Sequence, residues 1–207
     1  MKLKVCGMKY EENIKEVAML QPDYMGFIFW EGSKRYLDNP IPKDIPSTIK
    51  KTGVFVDATL EEIIEKVKTY TLQAVQLHGK ESPELCKQLK TEQPQVEIIK
   101  VFSIGNNFSF EQLTPYETMC DFYLFDTKGK LPGGNGDTFN WAVLENYPSQ
   151  KPFFLSGGIG LEQLNDIASF CKKEASKYCY AIDVNSMFEI KPGLKDVGKI
   201  KDLKSKI

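Results

Sequence analysis

The stretch Tyr123-Leu-Phe-Asp126-Thr-Lys-Gly129-Lys-Leu-Pro-Gly133-Gly134-Asn-Gly136-Asp-Thr-Phe-Asn-Trp141 joins an apolar run to a carboxylate and then to a glycine-rich loop. Residues 122–125 are aromatic or aliphatic with no polar alternation, the pattern of a strand covered on both faces, as in parallel sheets. Asp126 stands where that strand ends. Four glycines and a proline follow within about a dozen residues, so the backbone there can take positive φ and pass close to a ligand. The C-terminal ends of parallel strands are where α/β folds keep their chemistry. An Asp after a strand serves equally well as a cap for the next helix or turn, so its role depends on the rest of the chain.

Outward from this stretch the chain repeats one unit, a buried run followed by helical periodicity. Residues 3–6 form a short strand, Gly7 lies in the connection, and residues 11–20 form a helix with Ile14, Val17, Ala18 and Leu20 on its apolar side. A second run covers 24–30 and empties into the polar loop Glu31-Gly-Ser-Lys-Arg-Tyr36. A short helix is expected within 45–51, then a third strand over 53–57, with Thr59 capping a helix through Tyr70. The fourth strand is 73–78; Gly79 turns it into a helix that has Pro83 at its first position and runs to about Lys90. Strand five is 96–102, and a weak helix over 109–118 leads to the sixth. Beyond it come a helix over 139–147, a seventh strand at 152–156 ended by Gly157-Gly158, a helix over 161–174 and an eighth strand at 178–184. The lysine-rich C-terminus closes the series as a helix, with Val197, Ile200 and Leu203 at helical spacing. Eight βα units with no linker and no shift in composition are what a (β/α)8 TIM barrel requires, so residues 1–207 are read as one such domain.

A chain of 207 residues can bury about 70% of its unfolded surface in one domain, so a substantial core is available. The net charge of −1, with both signs interspersed, gives no electrostatic case for nucleic acid or an anionic membrane; an anionic ligand must be held locally. The five cysteines form no CxxC pair or zinc spacing and fit reduced thiols in a cytoplasm. The opening Met1-Lys-Leu-Lys-Val-Cys-Gly reads as neither signal peptide nor membrane span.

If the barrel holds, the loops after the strands carry Cys6, Arg35, Asp57, His78, Asp126, Gly157-Gly158 and Asp183-Val-Asn-Ser186. Ser156-Gly157-Gly158 after strand seven and Asn185-Ser186 after strand eight stand where barrels bind phosphate through backbone N–H groups. Arg35 is either a solvated charge or a fork for a carboxylate or phosphate. Cys6 is either a small buried hydrophobe or, with its pKa of about 8.5 lowered, a base or nucleophile. His78 has no partner histidine, which argues for a structural or ligand contact rather than a metal site.

Six motifs in order now carry a resemblance: Lys4-Val-Cys-Gly-Met8; Gly26-Phe-Ile-Phe29 with Ser33-Lys-Arg-Tyr36; Val75-Gln-Leu-His-Gly79; Phe125-Asp-Thr127 with Gly133-Gly-Asn-Gly136 and Thr138-Phe139; Leu155-Ser-Gly-Gly158; and Ile182-Asp-Val184 with Pro192-Gly193 and Lys195-Asp196. Together they resemble phosphoribosylanthranilate isomerase almost end to end. The resemblance implies a step of L-tryptophan biosynthesis, the Amadori rearrangement of N-(5′-phosphoribosyl)anthranilate to 1-(o-carboxyphenylamino)-1-deoxyribulose 5-phosphate, without metal or other cofactor. It implies Asp126 as general acid, Cys6 as general base and Arg35 as the partner of the anthranilate carboxylate. His78, Ser156, Gly157, Gly158, Asp183, Asn185 and Ser186 are then expected around the substrate. The partner is this small molecule, with no nucleic acid or membrane, and the working unit a monomer or homodimer. One departure stands out: where the family usually has Asp-Val-Ser-Ser-Gly-Val-Glu, this chain has Asp183-Val-Asn-Ser-Met-Phe-Glu189. Asn185 can still donate to a phosphate, whereas Met187 in the glycine position is expected to alter the loop. Other barrels of the same pathway, such as the indole-glycerol-phosphate synthase type, need a lysine acid at the rim, and a noncatalytic sugar-phosphate binder has no need of Cys6 and Asp126.

Overall fold

The computed structural model describes residues 1–105, 108–127 and 140–207. The glycine-rich loop of the opening stretch, with Gly133-Gly134, Gly136, Thr138 and Phe139, lies outside the described residues. Eight strands, β1 (Lys2–Val5), β2 (Tyr24–Ile28), β3 (Lys50–Phe55), β4 (Ala74–Leu77), β5 (Glu97–Ile104), β6 (Phe122–Thr127), β7 (Phe153–Leu155) and β8 (Cys179–Val184), pair in parallel in chain order and close into a barrel. The closing pair sets Lys4 beside Asp183 and Val5 beside Val184.

The unbroken apolar runs of strands such as β6 and β7 have a plain cause: both faces are covered. Successive side chains alternate between faces. Leu124, Phe154, Ile99 and Ala181 fill the barrel, while their neighbours Phe125, Phe153, Ile98 and Ile182 pack outward under the helices. Burying a side chain of this size is worth roughly 1.5–3 kcal/mol, so the two layers together outweigh the weak strand preference of any one residue. The same alternation sends Asp126, two residues beyond Leu124, to the inside of the barrel mouth.

Outside lie α1 (Glu11–Met19), α2 (Leu60–Tyr70), α3 (Pro83–Glu92), α4 (Leu164–Phe170) and α5 (Val197–Lys204). Thr59 and Glu62 form a reciprocal capping box on α2, the Ser82 side chain accepts from Leu85 N to cap α3, and the Asp196 side chain accepts from Lys199 N to cap α5. The helix expected within 45–51 is not formed; turns lead directly into β3, which starts at Lys50. The weak helix before β6 is a 3₁₀ segment, Phe110–Tyr116, with Pro115 inside it, a residue with no N–H for an α-helical ladder. The helix expected behind β6 is likewise a 3₁₀ turn, Trp141–Asn146, and residues 161–174 divide into a 3₁₀ turn, α4 and a second turn. Beyond the eight strands that the sequence predicts, a hairpin of β9 (Glu189–Lys191) and β10 (Leu194–Lys195) follows β8.

At the N-terminal end of the barrel, Glu97 accepts from the Tyr24 hydroxyl at 3.0 Å and from the Lys50 ammonium. Burial first, then the Tyr180 hydrogen bond and the Glu97 charge, hold the Tyr24 phenol far above its ordinary pKa. Among the described residues no helix is long and apolar enough to cross a membrane.

Candidate active site

Cys6 directly follows β1, its N–H held by Val184 O at 2.9 Å, and its thiol faces Ile28, Val54 and Trp30. The sulfur fits there only because β2 has a glycine alongside: a Cβ on Gly26 would lie 2.7 Å from the Cys6 sulfur. Two residues earlier on the same inward face, Lys4 is fully buried and its ammonium reaches Asp183 Oδ1 at 2.7 Å. Asp183 Oδ2 accepts from the Ser156 hydroxyl at 3.2 Å. Burial, the largest influence on Lys4, disfavours its charge, but the neighbouring Asp183 and Cys6 outweigh it and raise its pKa, so a cation sits beneath the thiol. For Cys6 burial wins: it pushes the thiol above its ordinary value, Lys4 and Lys195 pull it back, and Asp183 adds to the rise.

Asp126 is buried near the end of β6. Its Oδ1 accepts from Thr127 N at 2.9 Å, and its Oδ2 lies 3.3 Å from His78 Nε2. On the far side of the ring, His78 Nδ1 is 3.0 Å from Gln76 Nε2. Arg35 is clamped by Glu189: its Nε lies 2.8 and 3.0 Å from the two carboxylate oxygens, and Nη2 lies 2.7 Å from one of them. Glu189 also accepts from Lys195 Nζ at 2.7 Å and from Gly193 N. Although burial opposes it, these donors hold the Glu189 carboxyl below its usual range. Burial lowers Lys195 to about 8 despite Glu189. Lys195 also donates to Asn185 Oδ1 at 2.7 Å, so the hairpin absent from the sequence reading ties Arg35 and Asn185 into one network.

Gly157 and Gly158 both take positive φ, +90° and +62°. A Cβ on Gly157 would press to within 2.6 Å of Thr127 N, so the loop after β7 approaches the end of β6 as only glycine allows. Met187 sits in the short 3₁₀ turn Ser186–Phe188 at negative φ, so a non-glycine residue there imposes no left-handed backbone.

Cys6, Arg35, His78, Asp126, Ser156, Gly157, Gly158, Asp183, Asn185 and Ser186 all line one cavity at the barrel mouth. Asp57 does not line it: at φ +53° it organises the next loop, with Oδ1 accepting from Lys80 N at 2.6 Å. Sequence reasoning missed the apolar wall of Ile28, Val54 and Trp30, and it missed Gln76, Glu189 and Lys195. The wall and Gln76 were reachable, since Ile28 and Gln76 sit in phase with inward-facing strand positions; Glu189 and Lys195 needed the hairpin.

A closed parallel barrel with a rim cavity that gathers a thiol, a carboxyl and an arginine defines a (β/α)8-barrel enzyme. The family profile described as N-(5'phosphoribosyl)anthranilate (PRA) isomerase matches residues 3–206. An N-(5'-phosphoribosyl)anthranilate isomerase from Parabacteroides distasonis is 43% identical over 206 residues, covering 97% of this chain and 90% of the relative. The crystal structure of the phosphoribosyl anthranilate isomerase from Thermotoga maritima superposes with a TM-score of 0.84 at 31% identity, covering 100% and 98% of the two chains. Another such isomerase, in complex with reduced 1-(o-carboxyphenylamino)-1-deoxyribulose 5-phosphate, gives 0.81 at 28% identity, covering 100% and 97%. The chain belongs to the N-(5′-phosphoribosyl)anthranilate isomerase family.

Proposed function

We propose that this chain isomerises N-(5′-phosphoribosyl)anthranilate to 1-(o-carboxyphenylamino)-1-deoxyribulose 5-phosphate, with Asp126 as acid and Cys6 as base. The observation that carries the reading is the convergence of these two side chains, from β6 and β1, on one cavity that also holds Arg35 and the Gly157-Gly158 loop. The Asp126 carboxyl gives its proton to the furanose ring oxygen as the C1′–O bond breaks, and the anilino nitrogen lone pair forms the Schiff base. That imine acidifies the C2′ hydrogen. Cys6 as thiolate removes it, the freed electron pair becomes the C1′=C2′ bond of an enolamine, and tautomerisation gives the ketone. The ammonium of Lys4 beneath the sulfur favours the thiolate that this step needs.

Ile28, Val54 and Trp30 offer an apolar face to the anthranilate ring. Glu189 occupies the Nε–Nη2 edge of Arg35, which leaves Nη1 and the outer side of the guanidinium for the substrate carboxylate. Ser156 Oγ and Asn185 Oδ1 are already engaged, so phosphate is held by the glycine backbone N–H groups, the Asn185 amide nitrogen and Ser186. Every residue in this scheme comes from one chain, so it works in a monomer as well as in a homodimer, and its free thiols suit the cytoplasm. The test is a steady-state assay of the purified chain on N-(5′-phosphoribosyl)anthranilate, following loss of substrate fluorescence. A trace no steeper than the uncatalysed decay overturns the reading.

A further inference from the structure

We infer that Gln76 is a positioning residue that keeps the proton of His78 on Nε2, so that the ring donates to Asp126 as that carboxyl gives up its own proton. This inference rests on the acid role proposed for Asp126. Gln76 is 1% exposed and sits on β4 two residues before His78, on the same inward face. Its amide nitrogen lies 3.0 Å from Nδ1. An amide nitrogen is only a donor, so in this orientation Nδ1 presents a lone pair and the ring hydrogen is on Nε2. Among the described residues that buried Nε2 has no hydrogen-bond partner; Asp126 Oδ2 lies 3.3 Å from it, off the line of a good hydrogen bond.

This slack contact fits a donor placed for a charge that has not yet formed. When Asp126 transfers its proton to the ring oxygen it becomes a carboxylate, with Oδ1 on Thr127 N–H and Oδ2 facing Nε2–H. The second contact is then charge-assisted, and such bonds are shorter and about twice as strong as neutral ones. His78 neither gains nor loses a proton; its hydrogen stays on nitrogen. With the hydrogen on Nδ1, the ring would turn a lone pair toward the new carboxylate and oppose the transfer. In this orientation the buried Gln76 Oε1 has no partner among the described residues.

His78 is the chain's single histidine, which makes the test unambiguous. Long-range ¹H–¹⁵N correlation spectra of the full chain labelled with [¹⁵N]histidine are expected to show Nε2 protonated and Nδ1 bare; an Nδ1–H ring overturns the inference. Gln76→Glu supplies an acceptor at Nδ1. It is expected to draw a proton onto Nδ1 and to lower kcat by about tenfold or more, as for other groups that orient an imidazole, with KM within a few-fold. Gln76→Glu protein with Nδ1 protonated, Nε2 bare and kcat unchanged also overturns it. If Gln76→Glu does not fold, Gln76→Met removes the bias, and a ring still wholly Nε2–H in that variant would show that Gln76 does not set the tautomer. Absence of turnover by the wild-type chain would count against the proposed reaction alone, because the spectrum reads Gln76 directly.

Discussion

Polar side chains cluster at both ends of the barrel, half-exposed at one and buried at the other. At the N-terminal end, Tyr24, Lys50 and Glu97 close on one another, with the Tyr24 hydroxyl and the Lys50 ammonium sharing one carboxylate. At the C-terminal end, Gln76 Oε1, His78 Nε2 and Thr127 Oγ1 are buried with no partner among the described residues, and the Lys4–Asp183 ion pair sits beneath a thiol. The difference teaches where to look for function. A polar cluster that satisfies itself holds the barrel together, and one left incomplete is waiting for a ligand or a charge.

The sharpest way to break this contrast is at Asp126 and Cys6, the two groups proposed to handle protons. Asp126→Asn keeps the acceptor for Thr127 N–H but has no proton to give, and Cys6→Ser keeps the packing with a hydroxyl too weakly acidic to ionise near neutral pH. Each is expected to lower kcat by about 10²–10⁴ in the fluorescence assay, and near-normal turnover of Cys6→Ser would return that residue to the core. Arg35→Met comes next. Loss of a charge-assisted contact worth roughly 1.5–3 kcal/mol should raise KM by about 10- to 150-fold; a fall confined to kcat would move Arg35 into the chemistry.

On the floor, Glu97→Ala removes the acceptor that the Tyr24 hydroxyl shares with the half-exposed Lys50 ammonium. It is expected to cost about 0.5–1.5 kcal/mol in denaturant unfolding and to lower Tm by about 2–4 °C for each kcal/mol, with kcat within twofold of wild type. The mildest effect is one of pH. Because burial pushes the Cys6 thiol upward while Lys4 and Lys195 only partly offset it, the thiolate grows as pH rises through and beyond the ordinary thiol range of about 8.5. Both kcat/KM and the rate of Cys6 alkylation by iodoacetamide should therefore climb on the alkaline side. Alkylation already at its plateau near pH 7 would mean that the cations win.

Much of this was legible in the chain itself. The strands were, because burial on both faces removes polar alternation and leaves unbroken apolar runs such as residues 122–125. Capped helices were too: Thr59, and Pro83 at a first helical position, each mark a helix start. The segments read wrongly are those where local preference is weak, as in residues 45–51 and at Pro115. The rim residues could be named from their places after the strands, since strand ends fix position. Which charges meet could not. Glu189 reaches Arg35 across 154 positions of sequence through a hairpin, and Gln76 reads as one more residue of a buried strand until the ring of His78 is placed beside it.

The central division, chemistry at one end of the barrel and stability at the other, is tested most directly by measuring turnover and thermal unfolding together on Asp126→Asn, Cys6→Ser and Glu97→Ala. The expected result is a clean separation: the two rim variants lose turnover by about 10²–10⁴ with Tm within a few degrees of wild type, while Glu97→Ala loses Tm and keeps its rate. Rim variants whose lost activity follows lost stability, or a floor variant inactive well below its Tm, would contradict it.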